Sequence, residues 1–449
     1  MCPTTRNRLI RRAGAAVVFT IAPLAPAVIT YTGDNPVNSV PVPGPGNVAN
    51  YEGYFYGGFG GTTISPTILA TATHVTPGPN TTFVFYNGTS TATTYQIQQV
   101  ATLDDLALWE IAPNQTATFS TYAPIYTSSS EVGSTVLDLG TGYQVGGPNY
   151  TPGTSTQDGW TWAGGQGSQY TWGTNTVSQI TTGSQIGLSG AQGGPYLQLD
   201  FNPQNTSSSN YNPNESILTP FDSGGGGFIL SGGQYELAGI NTSSDEVLTS
   251  NGTAVSASLW DTYGYYTYNS QGQLVQITTH SLPESSFLTR VSTKQNLIGV
   301  VTGSIGPSSA AAYPVNDDSQ LAVYQNMTTG AVIGGGQLIV GSSSLHANLH
   351  IAPNSGASQF SNLSIAIFSQ LDISNNSAII KYSAGSDPIS TIAAWISSGY
   401  ANGAWNGYGI ISTNAQTNSG SYGIGYADSA DPGNPAGLTG NEIEIKYTL

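Results

Sequence analysis

Hydrophobic and polar residues alternate along this 449-residue chain in short runs, and few stretches carry the spacing of an amphipathic helix. Between positions 51 and 242, runs at 82–86, 95–100, 106–111, 134–139 and 235–240 read as strands, separated by clusters of Gly, Pro, Asn and Ser. Short strands this close together, without intervening helices, predict barrels or sandwiches. Residues 28–50 are Pro- and Gly-rich and read as an extended lead-in, whereas 149–178, rich in Gly, Trp, Tyr and Thr, read as long surface loops. One helix is expected at 283–298, capped by Ser281 or Ser285, with Phe287, Leu288, Val291 and Ile298 broadly on one side.

Past residue 300 the texture changes. Alternating runs at 337–340, 347–351, 363–368, 378–382 and 442–447 surround one well-marked helix. Asp387 caps it, Pro388 takes the first position, Ile389, Ile392, Ala393 and Ile396 share a face, and Gly399 ends it. The expected division is 1–27 export signal, 28–50 lead-in, 51–300 first domain, 301–344 linker and first strands of the C-terminal region, and 345–449 a smaller mainly-β domain.

The signal is read from Arg6, Arg8, Arg11 and Arg12, the apolar run from Ala13 to Leu24, and the small-residue site Ala25-Pro26-Ala27. The run is too short to span a membrane, and cleavage is expected after Ala27. Cleavage would leave Arg290, Lys294, Lys381 and Lys446 against 24 carboxylates, a net charge of 4 − 24 = −20. A chain so acidic is repelled by nucleic acid and by anionic lipid, so neither is an expected partner. Cys2 is the only cysteine and leaves with the signal, which excludes disulfides, cysteine catalysis and cysteine-ligated metal from the exported chain.

Three strings carry candidate chemistry: ILATATHV around His74, DDLALWEI around Asp105 and FDSGGGGF around Ser223. Serine alone is a weak nucleophile; an imidazole must take its proton and a carboxylate must fix that imidazole's tautomer. His74 is the only histidine before position 280. His346 and His350 are spaced i, i+4 on an apparent strand, so no metal site is expected from them. Asp104 and Asp105 should point to opposite faces of a strand, so only one reaches an imidazole. Alternation alone leaves that choice open, with a solvated turn residue as the plain reading of Asp104. Glycines after Ser223 permit a tight turn and close approach of a substrate backbone.

The order His, Asp, Ser and these flanks resemble the chymotrypsin-like serine proteases over about residues 45–300. Gly60-Gly61-Thr62-Thr63-Ile64-Ser65-Pro66 leads through Ile68-Leu69 to Thr71-Ala72-Thr73-His74, Asp105-Leu106-Ala107-Leu108 matches the family's acid, and Asp222-Ser223-Gly224-Gly225 its nucleophile. The resemblance implies an all-β fold, a double β-barrel with a C-terminal helix, and a secreted endopeptidase acting on proteins or peptides without a cofactor. It makes Ser223 and Phe221 the oxyanion-hole amides, although the family has Gly where Phe221 stands, so a positive φ there would be costly. It places Ile217 at the base of the primary pocket, where Lys/Arg-specific members carry Asp, so an apolar or small side chain is expected there. Gly239 and Thr242 would lie on the strand lining the cleft. The family's activating amino terminus pairs with the aspartate before the serine, here Asp222; no clear activation sequence precedes the domain, so competence without that cut is expected.

Residues 345–449, with LDISNNSAIIKYSAGSDPISTIAAWISSGY and GAWNGYGIIS, resemble a module found near the end of bacterial extracellular proteins, often before a dockerin or sorting segment. That likeness implies a structural or attachment role. Two competing readings stand beside the enzyme: an inactive protease-like surface protein, suggested by Phe221, and a carbohydrate-binding protein presenting Trp160, Trp162 and Trp172.

Overall fold

A computed structural model describes residues 28–33, 46–55, 57–75, 80–85, 92–166, 170–209, 211–280, 282–418 and 420–449. The expected export signal and part of the lead-in lie outside them. Twelve strands dominate the first three hundred residues: β1 Glu52–Phe55, β2 Gly60–Thr63, β3 Ile68–Ala72, β4 Asn80–Phe85, β5 Thr93–Leu103, β6 Leu106–Ile111, β7 Thr135–Gly140, β8 Thr171–Thr182, β9 Pro195–Asp200, β10 Gly226–Ser231, β11 Gln234–Ser244 and β12 Ser285–Arg290. They close into two six-stranded antiparallel barrels, in the orders β1-β2-β3-β6-β5-β4 and β7-β8-β9-β12-β11-β10. The all-β double barrel that the resemblance implies is the observed fold.

The second barrel fills its interior with Val136, Val177, Leu197, Leu199, Ile229, Ala238 and Leu288. Gly239 faces Gly227 across the β10–β11 pair, and Leu288 occupies the space that a Cβ at either glycine would need. Strand β12 corrects the helix expected at 283–298. Phe287 packs with Ile186 and Tyr196, while Leu288 packs into the barrel core. Both faces of this run are buried, and a run apolar on both faces imitates helical spacing. The helix, α1, starts later at Gln295–Thr302 and stops at Gly303, whose φ is +79°.

The loops expected at 149–178 are largely strand as well. Tyr143–Tyr150 and Gln157–Gln166 form an antiparallel ribbon joined by Ala257–Leu259. Trp160 and Trp162 turn one face onto a cluster of Ile29, Phe201, Ile217 and Trp260. Their indole N–H groups donate to Tyr31 O and Ser258 Oγ.

By internal contacts the chain divides into two compact units: residues to Ile97, Ile111–Ser189 and Gly193–Ser292, and then Gln98–Glu110, Gly190–Gln192 and Thr293–Leu449. The second is a parallel β-solenoid. One ladder stacks Gln320–Val323, Gln337–Val340 and Asn362–Ile365; another stacks Met327–Thr329, Asn348–Ile351, Gln370–Asp372 and Gly409–Ile411. Val315–Asn316 pairs in parallel with Val332–Ile333, and Ala357–Phe360 with Ser377–Lys381. In-register buried columns, Leu321-Leu338-Leu363 and Leu349-Leu371-Ile410, supply its core. The expected linker at 301–344 therefore holds the solenoid's first strands.

Helix α2, Ile389–Tyr400, begins one residue later than expected: Pro388 holds the cap position and Ile389 the first helical one, while Asp387 Oδ1 accepts from Ile389 N–H at 2.8 Å. Its end differs too. Gly399 lies within the helix and Ala401, at φ +46°, takes the left-handed position beyond it. No described helix is long and apolar enough to cross a membrane.

Candidate active site

All five residues of β3 are buried, and just past its end Val75 N–H returns to Ala72 O at 3.0 Å. That turn presents His74. Its Nε2 lies 2.8 Å from Ser223 Oγ, a separation at which a proton can pass between base and nucleophile. Ser223 Oγ also lies 3.3 Å from Thr242 O. The Ser223 turn is held by backbone bonds: Gly60 N–H to Ser223 O at 3.0 Å, Gly224 N–H to Asn241 O at 2.8 Å, and Asn241 N–H to Gly225 O at 2.9 Å. Gly224, at φ +86°, has Gly60 O and Thr71 Oγ1 where a Cβ would stand, and a Cβ on Gly60 would meet Gly225 N at 2.5 Å. The two glycine motifs are needed because their backbones pass against each other.

Phe221 adopts φ +79°. Such a conformation is an outlier for a bulky residue and costs on the order of 1–3 kcal/mol. Two aromatic neighbours hold it there, Phe59 at 5.5 Å and Tyr143 at 5.2 Å between ring centroids. The conformation has a chemical consequence. Among the described residues the Phe221 and Ser223 N–H groups donate to no other protein group, whereas those of Asp222 and Gly225 are bonded within the turn and that of Gly224 to Asn241 O. Two uncommitted amides flanking a nucleophile form the donor pair that an oxyanion requires.

Asp222 points inward. Its Oδ1 accepts from Gly142 N–H at 2.7 Å, and its Oδ2 from Thr219 N–H at 2.7 Å and Thr219 Oγ1 at 3.0 Å. Burial pushes its carboxyl up to about 6 even though these bonds favour the charged form. Two more buried carboxyls share this interior. Burial raises Asp138 well above the usual carboxylate range, and the Asp222 charge adds to it. Burial also raises Glu52, whose Oε1 accepts from Thr62 Oγ1 at 2.7 Å. The sequence carries no signal for these two, because a lone acid on an apolar strand reads as an outward-facing residue.

The other expected residues divide. Thr242 stands beside Ser223, and its Oγ1 lies 2.8 Å from Thr289 Oγ1. Gly239 is a packing glycine of the barrel interior. Ile217 is buried in the Ile29–Trp260 cluster and pairs with Ile29. Asp105 sits in the β5–β6 turn and is 0 % exposed. Asp104 corrects the expectation of a solvated residue: it is 1 % exposed, at φ +51°, and its Oδ2 pairs with Lys294 Nζ. An outward phase fails because this turn folds into the second unit, where a buried cation meets it.

In the solenoid His350 Nδ1 lies 2.7 Å from Asp372 Oδ2, and its Nε2 lies 3.4 Å from Ser374 Oγ. Ser374 is fully buried and donates to Ile351 O at 2.7 Å, while Asp372 Oδ1 accepts from Ser374 and Thr413 N–H. This second serine–histidine–aspartate set is therefore a turn clasp, closed to substrate. Among the described residues no cluster of His, Cys, Asp and Glu could hold a metal ion. In comparisons with known proteins, no family model and no curated protein matches this chain.

Proposed function

We propose that the chain is a secreted serine endopeptidase of the chymotrypsin-like kind. Ser223 Oγ attacks a peptide carbonyl while His74 Nε2 takes its proton and later gives it to the leaving amine. Asp105 holds the imidazole in the required tautomer and stabilises the imidazolium, and the Ser223 and Phe221 amides receive the oxyanion. The observation that carries this reading is the 2.8 Å contact between His74 Nε2 and Ser223 Oγ. The uncommitted amides beside it add support.

The donors on both Asp222 oxygens support activity without a newly released amino terminus. Ile217 stands where the resemblance puts the Asp of Lys/Arg-specific members, which favours apolar or small side chains over Lys or Arg. Export through residues 1–27 and attachment through the C-terminal region belong to the same proposal, and the mechanism uses neither metal nor cofactor. Trp160 and Trp162 are half-buried with their indole N–H groups bonded within the protein, and Trp172 is 5 % exposed, which weighs against the carbohydrate reading.

A fluorogenic peptide library tests the proposal. Wild type should cleave, with Ser223→Ala and His74→Ala losing at least ~10³-fold in turnover. Equal cleavage by wild type and Ser223→Ala, or none by wild type, contradicts it.

A further inference from the structure

We propose that Lys294 and Ser319 are positioning residues for the turn that carries Asp105, so that the C-terminal unit sets the geometry of the catalytic acid. This inference rests on the role of Asp105 proposed above. Four observations converge on the neighbouring residue, Asp104, all within the second unit. Its Oδ1 accepts from Ser319 N–H at 2.8 Å and Ser319 Oγ at 2.7 Å. Its Oδ2 pairs with Lys294 Nζ, in a pair 0 % and 1 % exposed. Its own N–H donates to Gln320 O at 2.8 Å. The strand leading into the turn is zipped to the solenoid, Ala101, Thr102 and Leu103 opposite Val323, Ala322 and Leu321.

Asp104 also holds a left-handed backbone at φ +51°, a conformation that aspartate tolerates better than most residues, and here its side chain is anchored as well. A left-handed residue fixes the direction in which the next residue leaves the turn, and that residue is Asp105. Asp317, also buried, is pushed up to about 8 by burial and by the Asp104 charge, with Lys294 acting in the opposite direction. Only four Lys or Arg residues follow position 27, and one of them is wholly buried against this turn. A buried ion pair is poor evidence of stability, and fixing one arrangement among several is its better-attested use.

The test is a double-mutant cycle on peptide hydrolysis, with folding checked by circular dichroism. Lys294→Met and Ser319→Ala should lower kcat, by ~10²-fold for Lys294→Met, with KM within about twofold, because small displacements of a positioned group cost rate and not binding. Lys294→Arg should recover most of the loss. In an Asp105→Asn background the Lys294→Met change should cost nothing further, since the acid it positions is already gone. If Lys294→Met does not fold, Ser319→Ala against Asp105→Asn decides in its place. Full kcat in a folded Lys294→Met or Ser319→Ala protein, or additive losses with Asp105→Asn, overturns the inference. An Asp105→Asn protein as active as wild type overturns the assigned role of Asp105 instead.

Discussion

At the scale of single residues, Phe221 is where the protein departs furthest from what local chemistry favours. A glycine would adopt φ +79° without strain, yet the chain places a phenylalanine there and holds its ring between Phe59 and Tyr143. Two substitutions separate conformation from packing. Phe221→Gly relieves about 1–2 kcal/mol of left-handed cost while losing ring contacts of similar size, so turnover and melting temperature should stay near wild type. Phe221→Ala keeps the strain and loses the rings that enforce it. Its amide is then free to turn away, and kcat should fall by ~10²–10³-fold. Steady-state kinetics on both variants decide it; a Phe221→Ala enzyme as fast as Phe221→Gly contradicts the role given to the rings.

At the scale of elements, strands were easier to read than helices. Short alternating runs bounded by turn residues located β6 and β7 to within a residue and β11 at its start, although β11 continues to Ser244. That pattern failed at β12, where Phe287 and Leu288 are buried on opposite faces and no polar phase marks the strand. The solenoid's strands were legible, but its parallel stacking was not, since steps of unequal length conceal the repeat. Gly399 is a similar case. Its place near the end of α2 suggests a stop signal, yet it is a packing residue, because Ile410 O of the neighbouring strand lies where its Cβ would go. Gly399→Ala should therefore destabilise the solenoid by about 1–3 kcal/mol by overpacking against a backbone atom. Helix propensity alone predicts a gain of about 1 kcal/mol. Chemical denaturation gives the sign.

At the scale of the whole molecule, several acids are buried with raised proton affinity: Asp222 up to about 6, Glu215 up to about 7 and Asp317 up to about 8, in each case chiefly by burial. The unfolded chain releases these protons from about pH 4, whereas the folded chain keeps them until the raised value is reached. Between those limits the folded state binds more protons, so stability falls as pH rises from about 4 to about 8. A tenfold difference in proton affinity is worth about 1.4 kcal/mol, so Asp222 alone contributes on the order of 3 kcal/mol. Glu131 works the other way: hydrogen bonds from Arg290 and Ser292 outweigh its burial and leave it lowered. Self-repulsion of an acidic chain adds to the fall at neutral pH. The melting temperature should be highest near pH 4 and decline toward pH 8, and a rise over that range contradicts this account.

The site was legible to a different depth at each member. The flanks of His74 and Ser223 carry steric requirements, since Gly60 and Gly224 must pass close together, and such requirements are written locally. The anchoring of Asp104 is not, because its partner Lys294 stands 190 residues away and only folding brings them together. The most direct measurement is the intact mass of the protein after exposure to a fluorophosphonate probe, followed by peptide mapping. A single adduct on Ser223, absent in His74→Ala and Ser223→Ala, is the predicted result; a folded wild type that stays unlabelled, or an adduct on another serine, would contradict the enzyme proposed here.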